Sequence, residues 1–192
     1  MAKRNEFKPD KPRSGLFSKL YLTQKQRRSL LKWSLYTLAI LLLSVLQDVI
    51  LSRISILGAT TDLVPCGIFL ICVLEGMESG SVFCFAASLL YLFSGTAPGP
   101  YSIVFITFLG VGIAFFRQSF LQKGFSAAML CTVAAIMLYE PAIFSTGLFL
   151  GLTTPGRFGV FLVTGILSAL AAPLLYPILK SIGTIGGDTW KE

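Results

Sequence analysis

Few side chains in this sequence can do chemistry, and they are far apart. Glu140 lies deep inside a long apolar run, between Tyr139 and Pro141. An ionisable group surrounded by hydrocarbon is a functional-site hypothesis by default. Pro141 has no N–H, so the carbonyl of Met137 lacks its helical donor. A protonated Glu140 can donate a hydrogen bond to such a carbonyl or to a neighbouring helix. The alternative is a proton or substrate site, but the sequence shows no second carboxyl inside a span to pair with it. Asp62 follows Thr60 and Thr61 and precedes Leu63, Val64 and Pro65. An Asp before an apolar run with Pro in its first turn predicts a helix N-cap, the carboxylate accepting a backbone N–H. The other reading places Asp62 in a ligand site at an outer mouth. Asp48 and Arg53 are expected to form a surface ion pair of little energetic weight.

Several chemistries are excluded. The chain has no histidine, which removes Ser-His and Cys-His nucleophiles, His-ligated metals and His proton shuttles. Cys66, Cys72, Cys84 and Cys131 sit in apolar runs without a CxxC pair and read as small packing residues. There is no Gly-rich phosphate loop, no Asp cluster for Mg²⁺ and no acid/base pair on one face. The expectation is a protein that is not an enzyme, with no cofactor and no metal.

A further pattern concerns packing. Gly76, Gly80, Cys84 and Ser88 recur at a spacing of four, which lines them up on one helix face where a second backbone can approach. That face either packs inside the protein or docks a partner. Gly147 with Gly151 and Gly165 with Ala169 are weaker examples.

These residues need elements to hold them, and composition says which. Of the 192 residues, 54% are hydrophobic and 13% charged, and the mean hydropathy is +0.77. A soluble domain of this size needs more charge to cover its surface. Ten of the sixteen Lys and Arg side chains fall between Lys3 and Lys32. The basic balance therefore belongs to a tail, which fits contact with anionic lipid rather than nucleic acid.

A hydrocarbon core of about 30 Å takes roughly 20 helical residues. Six spans are predicted, over 33–51, 60–74, 79–93, 101–116, 125–151 and 158–179. Lys32 and Trp33 mark the inner edge of the first. The second and third are short and are separated near Glu75 and Glu78. Six spans place fourteen basic residues on one side and two, Arg53 and Arg157, on the other; fusing the second and third spans blurs that bias. The positive-inside rule thus predicts an all-α integral membrane bundle of about six helices with both termini cytoplasmic. The expected organisation is a basic tail over 1–32, a helical domain over 33–180 and a short tail over 181–192. The first apolar run is expected to stay as an anchor, since no small-residue cleavage site follows it. Within the tail, Leu16, Phe17, Leu20 and Tyr21 fall near helical spacing, so the tail is either a short helix on the inner leaflet or a disordered tether.

Leu46-Gln47-Asp48, then Gly58 to Leu63 (GATTDL), then Glu75-Gly76 with Gly80, and the turn Ser94 to Gly99 resemble the rod shape-determining family MreD. The resemblance covers roughly residues 46–180. Asp62-Leu63 match a Pro-Asp-Leu of the family, with Thr61 in place of Pro. The stretch 84–89 matches in register, with Cys84 and Ser88 where Gly is usual, and Leu92 stands where the family has an acidic residue. Glu140 resembles an acidic position in the fifth span of some members. The resemblance implies a multi-pass bacterial inner-membrane protein with a non-enzymatic part in cell-wall elongation and cell shape. Its implied partners are MreC-like and MreB-like proteins, the glycan polymerase–transpeptidase pair and membrane lipid. In size and in its short second and third spans the chain is also similar to the substrate-binding membrane component of energy-coupling-factor vitamin importers. Their pocket would need convergent polar groups, and the loops offer Thr60, Thr61, Asp62, Thr153, Thr154 and Arg157 for it.

Overall fold

The computed structural model describes residues 24–56, 58–121 and 124–185. Residues 1–23 (among them the stretch 16–21), Lys123 and residues 186–192 lie outside them; the expected C-terminal tail over 181–192 is corrected in its first five residues, which continue α6 to Ile185. The described residues form six α-helices: α1 (Gln24–Val49), α2 (Leu63–Glu75), α3 (Met77–Phe93), α4 (Tyr101–Phe120), α5 (Phe125–Phe149) and α6 (Phe158–Ile185). There is no strand among them, only an isolated bridge between Ile56 and Ala59 in the α1–α2 loop. Helix α1 begins nine residues before the expected span, so the end of the basic stretch is helical and Lys32 sits within the helix rather than at its edge. Helix α5 runs through Pro141, and α6 through Pro173 and Pro177, without a break.

Helices α1, α4, α5 and α6 are long and apolar enough to cross a membrane, whereas α2, with 13 residues, and α3, with 17, are shorter apolar helices. Large apolar side chains cover much of the outer surface. Phe108 is 76% exposed, Leu174 74% and Val82 71%, which water would not tolerate in such numbers but hydrocarbon solvates. The chain is an all-α membrane protein.

Helix α2 is the axis of the fold. Its first twelve residues, Leu63 to Leu74, are all buried, and it packs against each of the other five helices. A helix that is apolar all round must be enclosed on every side. Pro65 falls in its first turn, where a missing N–H costs nothing. Around it, Trp33, Tyr36 and Phe83 stack with ring centroids 5.4–5.8 Å apart and fasten α1 to α3.

One residue, Gly76, joins α2 to α3. Its φ of +85° lies where a side chain is strained. One turn later, Gly80 presses on the α2 backbone: a Cβ there would lie 2.7 Å from the carbonyl oxygen of Cys72. Further along, the Cys84 thiol donates to the Ile106 carbonyl at 3.3 Å, and the Ser88 hydroxyl lies 3.4 Å from that of Thr107. The small-residue row is therefore an internal seam between α3, α2 and α4. Gly80, Cys84 and Ser88 are buried in it, which corrects the alternative that they face a partner. The four cysteines are buried and free, as packing residues should be.

Gly80→Val is expected to destabilise by about 1–3 kcal/mol, because the seam cannot open without moving α3. Gly112→Ala on the exposed side of α4, where a Cβ meets open space, should be neutral or stabilising. Thermal unfolding in detergent checks both, and equal effects at the two positions would contradict the seam.

Candidate functional site

A 13-residue helix is roughly 20 Å long, shorter than the hydrocarbon thickness it sits in. Both ends of α2 therefore lie below the level reached by the longer helices, and each carries backbone groups without helical partners. Polar side chains from other helices gather there, and each end opens into a cavity.

At the N-terminal end the capping is done by Gln47 of α1, whose Oε1 accepts the Val64 N–H at 3.0 Å. Asp62 occupies the N-cap position, but its side chain makes no cap hydrogen bond. The expected cap is thus corrected: both carboxylate oxygens instead accept the Tyr91 hydroxyl, each at 3.1 Å. The Asp62 backbone N–H donates to Ser168 of α6 at 2.8 Å. With Gln47 supplying the acceptor, the Asp62 carboxylate turns towards a cavity of about 460 Å³.

The same cavity is lined by Tyr139 and Glu140 of α5. Both are buried, at 1% and 4% exposure, yet the Tyr139 hydroxyl and the Glu140 Oε1 have no hydrogen-bond partner in the protein. Thr60, Thr96 and Thr164 add hydroxyls, and Ile143, Val160 and Phe161 form an apolar wall. Arg157 stands exposed at the rim. Gly165 gives Glu140 its room, since a Cβ there would lie 3.3 Å from the Glu140 Cγ. The fold therefore supplies what the sequence did not show, a second carboxyl beside Glu140, and it is Asp62. Thr61, Thr153 and Thr154 do not line the cavity.

At the C-terminal end, two successive residues of α4 serve the Gly76 junction. The buried Arg117 guanidinium donates to the Val73 carbonyl of α2, and Gln118 Oε1 accepts the Met77 N–H that opens α3 at 3.4 Å. A cation at a helix C-terminus also meets the negative end of its dipole. The Glu75 side chain is 1% exposed and bonds Lys32 at 2.5 Å and the Tyr36 hydroxyl at 2.8 Å. The Tyr36 hydroxyl lies a further 3.4 Å from the Leu179 carbonyl, which ties α1, α2 and α6 together. Glu75, Glu78, Arg117 and Gln118 border a second cavity of about 380 Å³.

The site residues thus separate. Asp62 and Glu140 meet at one end of α2, Gly76 lies at the other, and Gly80, Cys84 and Ser88 belong to the seam between. Reading the sequence missed Gln47 as a cap, Lys32 and Tyr36 as partners of Glu75, and Arg117 as a capping cation. The signals were polar residues at isolated points of apolar helices. Asp48 is exposed and forms no ion pair with Arg53; its carbonyl accepts the Ser52 hydroxyl.

Fold and sites together define a small polytopic helical membrane protein built around an enclosed short helix. No family model, curated protein or solved structure matches the chain.

Two predictions follow the geometry. Lys32→Met alone strands a buried carboxylate and should cost about 3–5 kcal/mol, with most of the loss recovered in the Lys32→Met/Glu75→Gln pair; purely additive losses in a double-mutant cycle would disprove the contact. Gln47→Leu leaves the Val64 N–H without an acceptor and should cost about 1–3 kcal/mol. By contrast, Asp48→Ala next to it should stay within about 0.5 kcal/mol, as read by the same unfolding assay.

Proposed function

We propose that this protein is an MreD-like, non-enzymatic component of the bacterial cell-wall elongation machinery, acting in cell shape by holding partner membrane proteins. The observation that carries the reading is where the resemblance falls. Several of its residues, far apart in the sequence, gather around α2: Gln47 and Asp62 at one end, Glu75 and Gly76 at the other, and Gly80 against its backbone between them. Those positions of the resemblance are ones that hold the enclosed helix in place.

In this reading all six helices count as spans, in the plasma membrane, with both termini cytoplasmic. Two features support the count. Helices α2 and α3 are separate, broken at Gly76, and α2 is enclosed by protein, so it need not match the lipid thickness. The distribution of basic residues, fourteen against two, supports the orientation. Glu75 and Arg117 then lie at the cytoplasmic end and Asp62 and Glu140 at the outer end. MreC-like and MreB-like proteins and the glycan polymerase–transpeptidase pair are the partners. Because the small-residue row is internal, partner helices would meet the exposed apolar sides of the outer helices instead.

The cavity at Asp62 and Glu140 favours a second reading, a substrate-binding component of an energy-coupling-factor importer. Depletion in the host separates the two. Rounding of rod-shaped cells in rich medium, with photocrosslinkers at Val82, Phe108 or Leu174 capturing an MreC-like protein, is the expected result. Rescue of depleted cells by an added vitamin would overturn it in favour of import.

A further inference from the structure

The cavity at the N-terminal end of α2 has the make-up of a small-molecule site. Its volume of about 460 Å³ falls within the range of pockets that enclose metabolite-sized ligands. Its polar groups come from four separate places in the fold: Gln47 from α1, Tyr91 from α3, Tyr139 and Glu140 from α5, and Asp62 from the start of α2. Such convergence is not needed to cap a helix, since Gln47 alone caps α2. Tyr91 donates its one hydroxyl proton to Asp62. That leaves two buried polar atoms facing the cavity without a protein partner, the Tyr139 hydroxyl and the Glu140 Oε1. Buried polar groups are satisfied in the great majority of cases, so an orphaned pair on one cavity wall, a carboxyl oxygen and a phenol, marks where another molecule's polar groups belong.

The charges say what kind of molecule. Two carboxyl groups, Asp62 and Glu140, share the interior with the rings of Tyr91 and Tyr139. Carboxylate oxygens and aromatic faces both attract an ammonium group, most strongly away from water. Among the described residues, the one cation lining the cavity is Arg157, which stands at the exposed rim and suits an anionic group left near solvent. Between them, Ile143, Val160 and Phe161 offer an apolar wall. A dication would meet Arg157 at the rim, and a dianion would meet the two carboxyls inside.

We propose that this cavity binds a small apolar zwitterion of the α-amino-acid class, with its ammonium group between Asp62 and Glu140 and its carboxylate at Arg157. The site rests on neither functional reading. In a shape protein the bound zwitterion would be a regulatory input, and in an importer it would be the cargo; the depletion phenotype decides between those uses without bearing on whether the site binds.

The test is thermal unfolding of the full-length protein in detergent against a panel of L-amino acids, followed by calorimetry on the best. At least one apolar member should raise the midpoint by several degrees. Its N-acetyl derivative, which lacks the ammonium, and its decarboxylated amine, which lacks the carboxylate, should each bind at least tenfold more weakly. Glu140→Gln should abolish the shift while leaving the unliganded midpoint unchanged or higher, and Arg157→Gln should weaken binding. No shift with any amino acid would overturn the proposal, as would equal binding of the N-acetyl derivative. If Glu140→Gln does not fold, the comparison of the three ligands on the wild-type protein still decides.

Discussion

Everything in this fold follows from enclosing a helix that is too short for its surroundings. Peptide groups cannot be left bare in hydrocarbon, and α2 ends well before the longer helices around it do. Its terminal N–H and C=O groups must therefore be met by side chains reaching in from elsewhere. Gln47 does this at one end and Arg117 at the other. Each brings polar company, and the company makes two polar hollows, one above and one below an apolar core. The membrane-protein inversion, apolar outside and polar within, is here concentrated at those two points rather than spread along a pore.

The two hollows differ in how completely they are satisfied. Around Glu75, the acid, Lys32 and Tyr36 close on one another at 2.5 and 2.8 Å, a self-sufficient cluster that locks α1 and α6 onto α2. Around Glu140 the acid is left with an unmet oxygen beside an unmet phenol. The same residue type thus serves as a rivet at one end and an open valence at the other. That contrast locates the chemistry that the protein keeps available.

Much of this architecture was legible in the sequence, and the limits have physical causes. Apolar runs of sufficient length located the helices, and Gly76 with Glu75 and Glu78 marked the break between α2 and α3. The row Gly76, Gly80, Cys84, Ser88 identified a close-packing face but not its partner, because a spacing of four says which side of a helix is narrow and not what lies against it. Asp62 illustrates the harder limit. Local sequence made it the cap of α2, and the backbone position was correct, but Gln47, fifteen residues upstream, took the hydrogen bond. Lys32 was placed at the edge of lipid because it ended a basic tail; its pairing with Glu75 spans 43 residues, and no local pattern encodes such a meeting. Glu140 looked solitary for the same reason, since its companion Asp62 lies 78 residues away, just before α2.

The single-residue link at Gly76 makes α2 and α3 one element. Helices of 13 and 17 residues joined by one glycine cannot be positioned independently, because the turn fixes where each must run. The pair sets Glu75 against Lys32 and Tyr36 of α1 and Gly80 against the backbone at Cys72. A side chain at Gly76 strains that turn and so disturbs the ion pair and the seam together.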